Sequence, residues 1–347
     1  MLGDIMDIKS MSLKELENIM GEKGEKSFRA KQIYQWIHEK QVSSYDEMSN
    51  LSLNLRKMLQ EEYPLMKLEM LRVQESALDG TRKYLFGLED GNTVESVWMK
   101  YHHGNSVCIS SQVGCRMGCR FCASTLDGLE RNLKPSEMIE QIYSIIRHTG
   151  ERVSNIVIMG TGEPMDNYEN VVKFLRLITS EEGCNISQRN ITVSTCGIVE
   201  GIRRLAQEKL QITLALSLHA TTDEKRKQLM PVAYRYELKD VLKACEYYFE
   251  TTGRRVSFEY SLVAGVNDNL NDAKELVALV RGMNCHVNLI PVNPIKERDY
   301  KQSEKKQIEN FKNYLNQNGV NATVRREMGR DIDGACGQLR RRHMNNQ

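Results

Sequence analysis

"SVCISSQVGCRMGCRFCAS", residues 106–124, opens as a short apolar run and ends as a loop holding Cys115, Cys119 and Cys122 in the spacing C-x3-C-x2-C. A short run of that kind bounded by polar and glycine residues reads as a buried strand. Three thiols within eight positions read as ligands. A fully caged metal usually takes four protein ligands, while a site that does chemistry keeps one position open. The missing ligand therefore lies elsewhere in the chain or belongs to a small molecule.

Downstream, strand-like runs alternate with helical ones. The strand-like runs are "NIVIMG" (155–160), "NITVST" (190–195), "ITLALSL" (212–218), "VSFEYSL" (256–262), "HVNLIP" (286–291) and "ATVRR" (322–326). Between them lie amphipathic stretches such as "PSEMIEQIYSIIRH" (135–148) and "NYENVVKFLRLITS" (167–180). This alternation predicts parallel strands with crossover helices, as a barrel or an open doubly wound sheet. In both, ligands gather at the C-terminal strand ends. Gly162–Glu163–Pro164, Ser194, Ser217, His219 and Asn293 fall there. One strand-end serine is usually a cap; several on one rim favour a small-molecule site.

Upstream the pattern changes twice. In residues 1–64, Ser12 and Glu15 have capping-box spacing, and Ile33, Trp36 and Ile37 recur at helical intervals. In residues 65–104 three alternating runs are separated by "LDG" and "EDGN", the signature of an antiparallel meander. The division expected is a helical accessory domain (1–64), a β extension (65–104) and an α/β core (105–347).

Composition narrows the class. With 347 residues, 40% hydrophobic and 27% charged, the chain is long enough for a sizeable core. No run approaches the roughly 20 apolar residues that span a bilayer, and "MLGDIMDIKS" lacks the character of a signal peptide. A cytoplasmic protein without a membrane partner is expected. In a reducing compartment nine cysteines favour metal binding or catalysis over a disulfide framework. Net charge is only +2, yet Arg325, Arg326, Arg330, Arg340, Arg341 and Arg342 crowd one terminal stretch against Glu327, Asp331 and Asp333. Such a tail suits phosphate contacts or is a solvated end.

Two readings of the cysteine loop compete. Zinc would need Cys108, His102 or His103 as fourth ligand, without the second C-x2-C or H-x3-H pair usual in structural sites. A [4Fe–4S] cluster on three cysteines leaves one iron open. The spacing with an aromatic before the last cysteine (Phe121–Cys122) resembles the radical S-adenosylmethionine superfamily. The resemblance implies that the open iron binds S-adenosylmethionine and that an electron splits the sulfonium, releasing a 5′-deoxyadenosyl radical. "MGTGEP" (159–164) is similar to the motif that holds the methionyl amino group, through Gly162 and Glu163. Ser194, the Ser217–Leu218–His219 segment and Asn293 match positions that contact the rest of that cofactor.

The likeness extends along nearly the whole chain. "ISSQVGC", "FCAS", "SLHA", "LMP", "GVND", "HVNLIP" and "DIDGACGQL" (331–339) resemble the RlmN/Cfr family of radical RNA methyltransferases. That family implies an adenine of 23S rRNA and of tRNA as substrates. It also implies two S-adenosylmethionine molecules per methylation, a flavodoxin or ferredoxin as electron donor, and action as a monomer. Adenine C2 is electron-poor and will not attack a sulfonium, so the family uses a thiol as methyl carrier. By resemblance Cys336 carries the methyl, Cys108 resolves the RNA–protein thioether through a transient disulfide with Cys336, and Glu95 accepts the ring proton. Unaided, Glu95 alternates with Val94 and Val97 and reads as a solvent-facing strand residue, and Cys108 as a buried small hydrophobe. Glu163–Pro164 follows the pattern of enzymes that methylate C2; the alternative is methylation at C8. A zinc-stapled RNA-binding module without catalysis is the alternative of another class.

Overall fold

The computed structural model describes residues 7–293, 299–333 and 337–344. Its helices are α1 (Leu13–Glu22), α2 (Ser27–His38), α3 (Leu53–Glu62), α4 (Pro135–Thr149), α5 (Tyr168–Ile178) and α6 (Val199–Gln207). They continue with α7 (Asp223–Leu229), α8 (Leu238–Thr252), α9 (Leu270–Leu279), α10 (Lys305–Gln317) and α11 (Gln338–Met344). No helix among the described residues is long and apolar enough to cross a membrane.

The expected meander is β1 (Glu69–Glu75), β2 (Arg82–Gly87) and β3 (Thr93–Tyr101), followed by β4 (Gly104–Cys108). Next come β5 (Gln112–Gly114) and β6 (Leu129–Asn132), which pair only with each other. The remaining strands are β7 (Val153–Ile158), β8 (Ile191–Thr195), β9 (Thr213–Ser217), β10 (Val256–Leu262), β11 (Cys285–Pro291) and β12 (Ala322–Val324). One sheet runs β1-β2-β3-β4-β7-β8-β9-β10-β11-β12. From β4 to β12 every pair is parallel and each strand lies beside its successor. A doubly wound sheet reverses strand order at a switch point; this order never reverses. The architecture is therefore an α/β partial barrel, with an antiparallel extension and a small helical N-terminal region.

The meander continues the core sheet, because β3 pairs antiparallel with β4. The β5–β6 hairpin lies in a stretch with no alternating signal, because three- and four-residue strands are too short to show a period.

At the N-terminus Ser12 and Glu15 form the capping box, Glu15 Oε2 accepting the Ser12 N–H at 2.7 Å. Ile33 and Ile37 of α2 are buried in one continuous apolar cluster with Ile139, Ile142 and Tyr143 of α4. Polar contacts pin the same seam. Lys9, fully buried, reaches Glu140 at 2.5 Å and the Met66 carbonyl at 2.7 Å. Arg147 pairs with the same carboxylate. His38 lies 3.2 Å from the Tyr143 hydroxyl, and burial lowers its pKa to about 3.

Removing one partner of a buried ion pair strands the other charge. Glu140→Ala is expected to cost about 3–5 kcal/mol in urea unfolding. His38 also predicts a pH dependence. The unfolded imidazole takes a proton near its ordinary 6.5, the folded one only near 3. Its contribution to stability is complete above the first value and is lost as pH falls between them. Unfolding midpoints of His38→Gln should fall less steeply over that window than those of the wild type.

Candidate functional site: a cysteine loop and two adjoining cavities

Cys115 follows β5 directly. Its N–H donates to the Gly128 carbonyl at 2.7 Å, closing the hairpin against the loop. Gly114 before it has φ +74°, and a Cβ there would sit 2.0 Å from the Gly128 oxygen, so only glycine allows this closure. The Arg120 N–H donates to the Leu229 carbonyl at 2.9 Å, fastening the loop to the end of α7. The Thr125 hydroxyl lies 3.0 Å from the carbonyls of both Cys119 and Cys122.

The three cysteines line one cavity of about 250 Å³. The C-terminal ends of the parallel strands supply its other walls, including Gly162, Glu163, Ser194, Ser217 and His219. Leu218, between two lining residues, has its side chain wholly buried in the core and does not reach the cavity. Asn293 and Cys108 line a second, larger cavity of about 430 Å³, together with Val97, Met99 and Gln338. The two cavities share Ile290 and Arg325 as a common wall. His102 and His103 lie at the start of β4 and Cys108 at its end. Five residues of strand separate His103 from Cys108 by roughly 16 Å, so neither histidine completes a set with the loop. Among the described residues no three His, Cys, Asp or Glu side chains surround a single-ion position.

Glu163 is buried. Its oxygens accept the N–H of Cys196 at 2.7 Å and of Met165 at 3.0 Å. Burial raises its pKa, and those hydrogen bonds oppose the rise. Gly162 has φ +109°, and a Cβ there would lie 2.6 Å from Gln112 Cβ. Gln112 in turn accepts the Glu163 N–H at 2.8 Å, so it shapes the whole turn. His219 adopts φ +55°, uncommon for a non-glycine residue. Its Nδ1 accepts the Ser261 N–H at 2.9 Å, which assigns the proton of the neutral ring to Nε2. Burial, then nearby Arg226, lowers its pKa to about 3, so it stays neutral at physiological pH. Phe121 packs edge-on against this ring, with centroids 4.8 Å apart, joining the loop to the end of β9.

Burial pushes the Cys115 thiol up to about 12 and raises the Cys119 thiol well above its ordinary value. Unaided, these groups would hold their protons; ligation requires thiolates, so a metal must displace them. A buried cation is already at hand. Arg226 has no exposed surface, donates from Nη2 to the Cys196 carbonyl at 2.6 Å, and leaves Nη1 without a hydrogen-bond partner. It stabilises charge on Cys119. Three clustered thiols, a buried guanidinium and an acid-lined cavity fit an anionic iron–sulfur cluster carrying a cationic sulfonium ligand.

Glu95 is not solvent-facing. It is 4% exposed, and its Oε2 lies 3.0 Å from Lys83 Nζ. The carboxylate also accepts the N–H groups of Gly337 at 2.7 Å and Arg340 at 2.5 Å, at the start of α11. Cys336 lies outside the described residues. The described part of the basic stretch is docked on the protein through the Gly337 and Arg340 N–H groups. Arg342 pairs with Asp333 at 2.9 Å, Arg330 with Glu327, and Arg325 and Arg326 line the larger cavity. The sequence reading gave no role to Gln112, Arg226, Asn267 or Lys83, although Gln112 lies in "ISSQVGC" and Asn267 in "GVND". The Asn267 side chain ties the His219 and Ser261 carbonyls at 2.7 Å each.

A partial barrel with three cysteines on its strand-end rim is the architecture of a radical S-adenosylmethionine enzyme, and residues 109–280 match the Radical SAM superfamily. Residues 6–64 match the N-terminal domain of ribosomal RNA large subunit methyltransferases. Two bacterial relatives carry the name "Probable dual-specificity RNA methyltransferase RlmN". The one from Lachnospira eligens is 65% identical over 97% of both chains. The one from Lachnoclostridium phytofermentans is 66% identical over 97% of this chain and 94% of its own. The crystal structure of a radical SAM methyltransferase from Sphaerobacter thermophilus superposes with a TM-score of 0.92 at 42% identity, covering 96% of this chain and 98% of its own. The chain belongs to the RlmN family of radical SAM RNA methyltransferases.

Anaerobically purified wild type should carry about four irons per chain, as the cluster type requires. Cys119→Ala should lose most of that iron and the accompanying absorbance while the far-ultraviolet circular dichroism stays unchanged.

Proposed function

We propose that the chain methylates C2 of an adenosine in 23S rRNA and in tRNA, with Cys336 as methyl carrier, Cys108 as resolving thiol and Glu95 as proton acceptor. The observation that carries the reading is the register of the first strands. Val97 stands opposite Cys108, and Glu95 lies two residues along the same strand. Residues two apart share a face, so Glu95, Val97 and Cys108 line one face of the sheet. Cys108 and Val97 line the larger cavity, which adjoins the cysteine loop's cavity across Ile290 and Arg325.

Cys115, Cys119 and Cys122 would hold a [4Fe–4S] cluster, with Glu163, Ser194, Ser217, His219 and Asn293 around S-adenosylmethionine. When bound, that group supplies both a methyl for transfer and a hydrogen-abstracting radical. The protein's part begins with Cys336, whose sulfur takes the methyl by displacement. Hydrogen loss from that methyl leaves a carbon radical that adds to the adenine ring. Restoring the aromatic ring needs one electron and one proton to leave: a cluster held by Cys115, Cys119 and Cys122 would be the electron acceptor, and Glu95 takes the ring proton. A Cys108 thiolate then attacks the Cys336 sulfur. The carbon–sulfur bond breaks with its electron pair on the RNA side, protonation completes the new methyl, and a disulfide remains for an external reductant to reopen.

Residues 1–64 would serve as an RNA-contacting accessory region beside the core of 105–347, with 65–104 bridging them. A flavodoxin or ferredoxin would supply the electron. The adenine must leave its stack to enter a cavity of this depth.

Two variants and one product assay test the reading. Cys336→Ala should abolish methylation yet still cleave S-adenosylmethionine reductively. Cys108→Ala should accumulate RNA covalently attached to protein. Nuclease digestion and chromatography of reacted 23S rRNA and tRNA should yield 2-methyladenosine. Recovery of 8-methyladenosine would overturn the C2 assignment, and normal turnover by Cys108→Ala would overturn the resolving role.

A further inference from the structure

Lys83 sits on β2 among Tyr84, Leu85 and Phe86, all wholly buried, and is itself without exposed surface. Taking an ammonium out of water costs several kcal/mol, and packing at this position would be served by a leucine or methionine. The strand register shows what the charge faces. Leu85 stands opposite Glu95 and Lys83 opposite Val97, so Lys83 and Glu95 are diagonal neighbours on the face that also carries Cys108.

We infer that Lys83 is a positioning residue for the segment that bears the carrier thiol, clamping it on both flanks through one buried ion pair; this rests on the reading of Cys336 above. On the N-terminal flank Lys83 Nζ donates to the Asp333 carbonyl at 2.6 Å. On the C-terminal flank it holds Glu95, whose two oxygens accept the N–H groups of Gly337 and Arg340. Gly337 is bonded directly to residue 336. Further contacts anchor the N-terminal flank to the β1–β2 hairpin. Asp331 accepts from Ser76 at 2.5 Å and from the Ala77 N–H at 2.8 Å, and Asp333 accepts from Gln74 at 3.0 Å. Arg342 of α11 also pairs with Asp333, but from the surface; Lys83 joins the two flanks from within the core.

The arrangement also has a consequence for Glu95. The carboxylate proposed to take the ring proton here fixes the chain next to the carrier cysteine, so accepting a proton would weaken its hold on Gly337 and Arg340. Removal of Lys83 strands the buried Glu95 carboxylate and takes one buried hold from each flank, leaving the other flank contacts, the cysteine loop and its cavity in place.

The test uses full-length, cluster-reconstituted Lys83→Met and Lys83→Arg. Three quantities are read: the rate of S-methylation of the Cys336 peptide by mass spectrometry, amide exchange across 337–344, and S-adenosylmethionine cleavage without RNA. Lys83→Met should slow S-methylation by roughly 100-fold, the scale of a 1 Å misplacement. Exchange at Gly337 and Arg340 should quicken by about tenfold or more, as expected for a lost hydrogen bond to a charged group. Iron content and cofactor cleavage should match the wild type, and Lys83→Arg should restore part of both losses. Wild-type methylation and exchange in Lys83→Met would overturn the clamp. If the wild type itself carries no methyl on the Cys336 peptide, the carrier reading fails, and the exchange measurement still decides the clamp. Should Lys83→Met not fold, Lys83→Met/Glu95→Gln, which buries no charge, carries the exchange measurement; slow exchange there overturns the proposal.

Discussion

Strand β4 hydrogen-bonds antiparallel to β3 on one edge and parallel to β7 on the other. Both halves of the site depend on that seam. Its antiparallel edge sets Cys108 across from Val97 and beside Glu95. Its parallel edge brings the end of β7, with Gly162 and Glu163, against the hairpin from which the cysteine loop departs. A one-residue slip on either side would turn every one of these side chains to the opposite face. The Gln112, Ser110 and Gln141 side chains make such a slip costly by binding the backbone where the strands end. Ser110 Oγ accepts the Thr161 N–H at 3.0 Å and donates to the Glu95 carbonyl at 2.8 Å. Gln141 receives the Ser110 N–H at 2.9 Å.

Besides the Lys9–Glu140 pair at the N-terminal seam, several buried charges lie in or near the two cavities. Glu163, Arg226, Glu259, Lys83 and Glu95 all lie almost wholly beneath the surface. A core built for stability alone would hold apolar residues there, since desolvation offsets most of what a buried pair gains. Glu259 illustrates the cost: burial raises its pKa, and the Asn288 amide at 2.9 Å opposes the rise. These groups make sense as a fixed electrostatic lining for charged occupants. The carboxylates suit a sulfonium and an ammonium, and the guanidinium suits thiolates.

Much of the molecule was legible in the residues. The C-x3-C-x2-C loop, the GEP turn and the alternation of strands and helices are local patterns, set by ligand count, backbone conformation and periodicity. The capping box at Ser12 and the meander boundaries are local too, and the structure shows each where the pattern indicates. Glu163, Ser194, Ser217 and His219, read as strand-end positions, line one cavity. Leu218, named with Ser217 and His219 by resemblance, turns its side chain into the core just beyond the end of β9.

Other features arise only when distant segments meet. Glu95 has the sequence environment of an exposed strand residue and becomes buried because α11, some 240 positions later, covers it. Lys83 gains its meaning from the same meeting. Arg226 looks like one more charge on a polar helix until α7 packs beneath the cysteine loop. The arginine-rich stretch reads as phosphate-binding or solvated, and folding turns Arg325, Arg326 and Arg330 into cavity wall. Local chemistry and period are written in short stretches, so the chain alone determined the fold class and the ligand loop. Long-range packing decides which polar groups lose their water and find each other, so only the tertiary structure settled the ion pair at Glu95, the two adjoining cavities and the place of the tail.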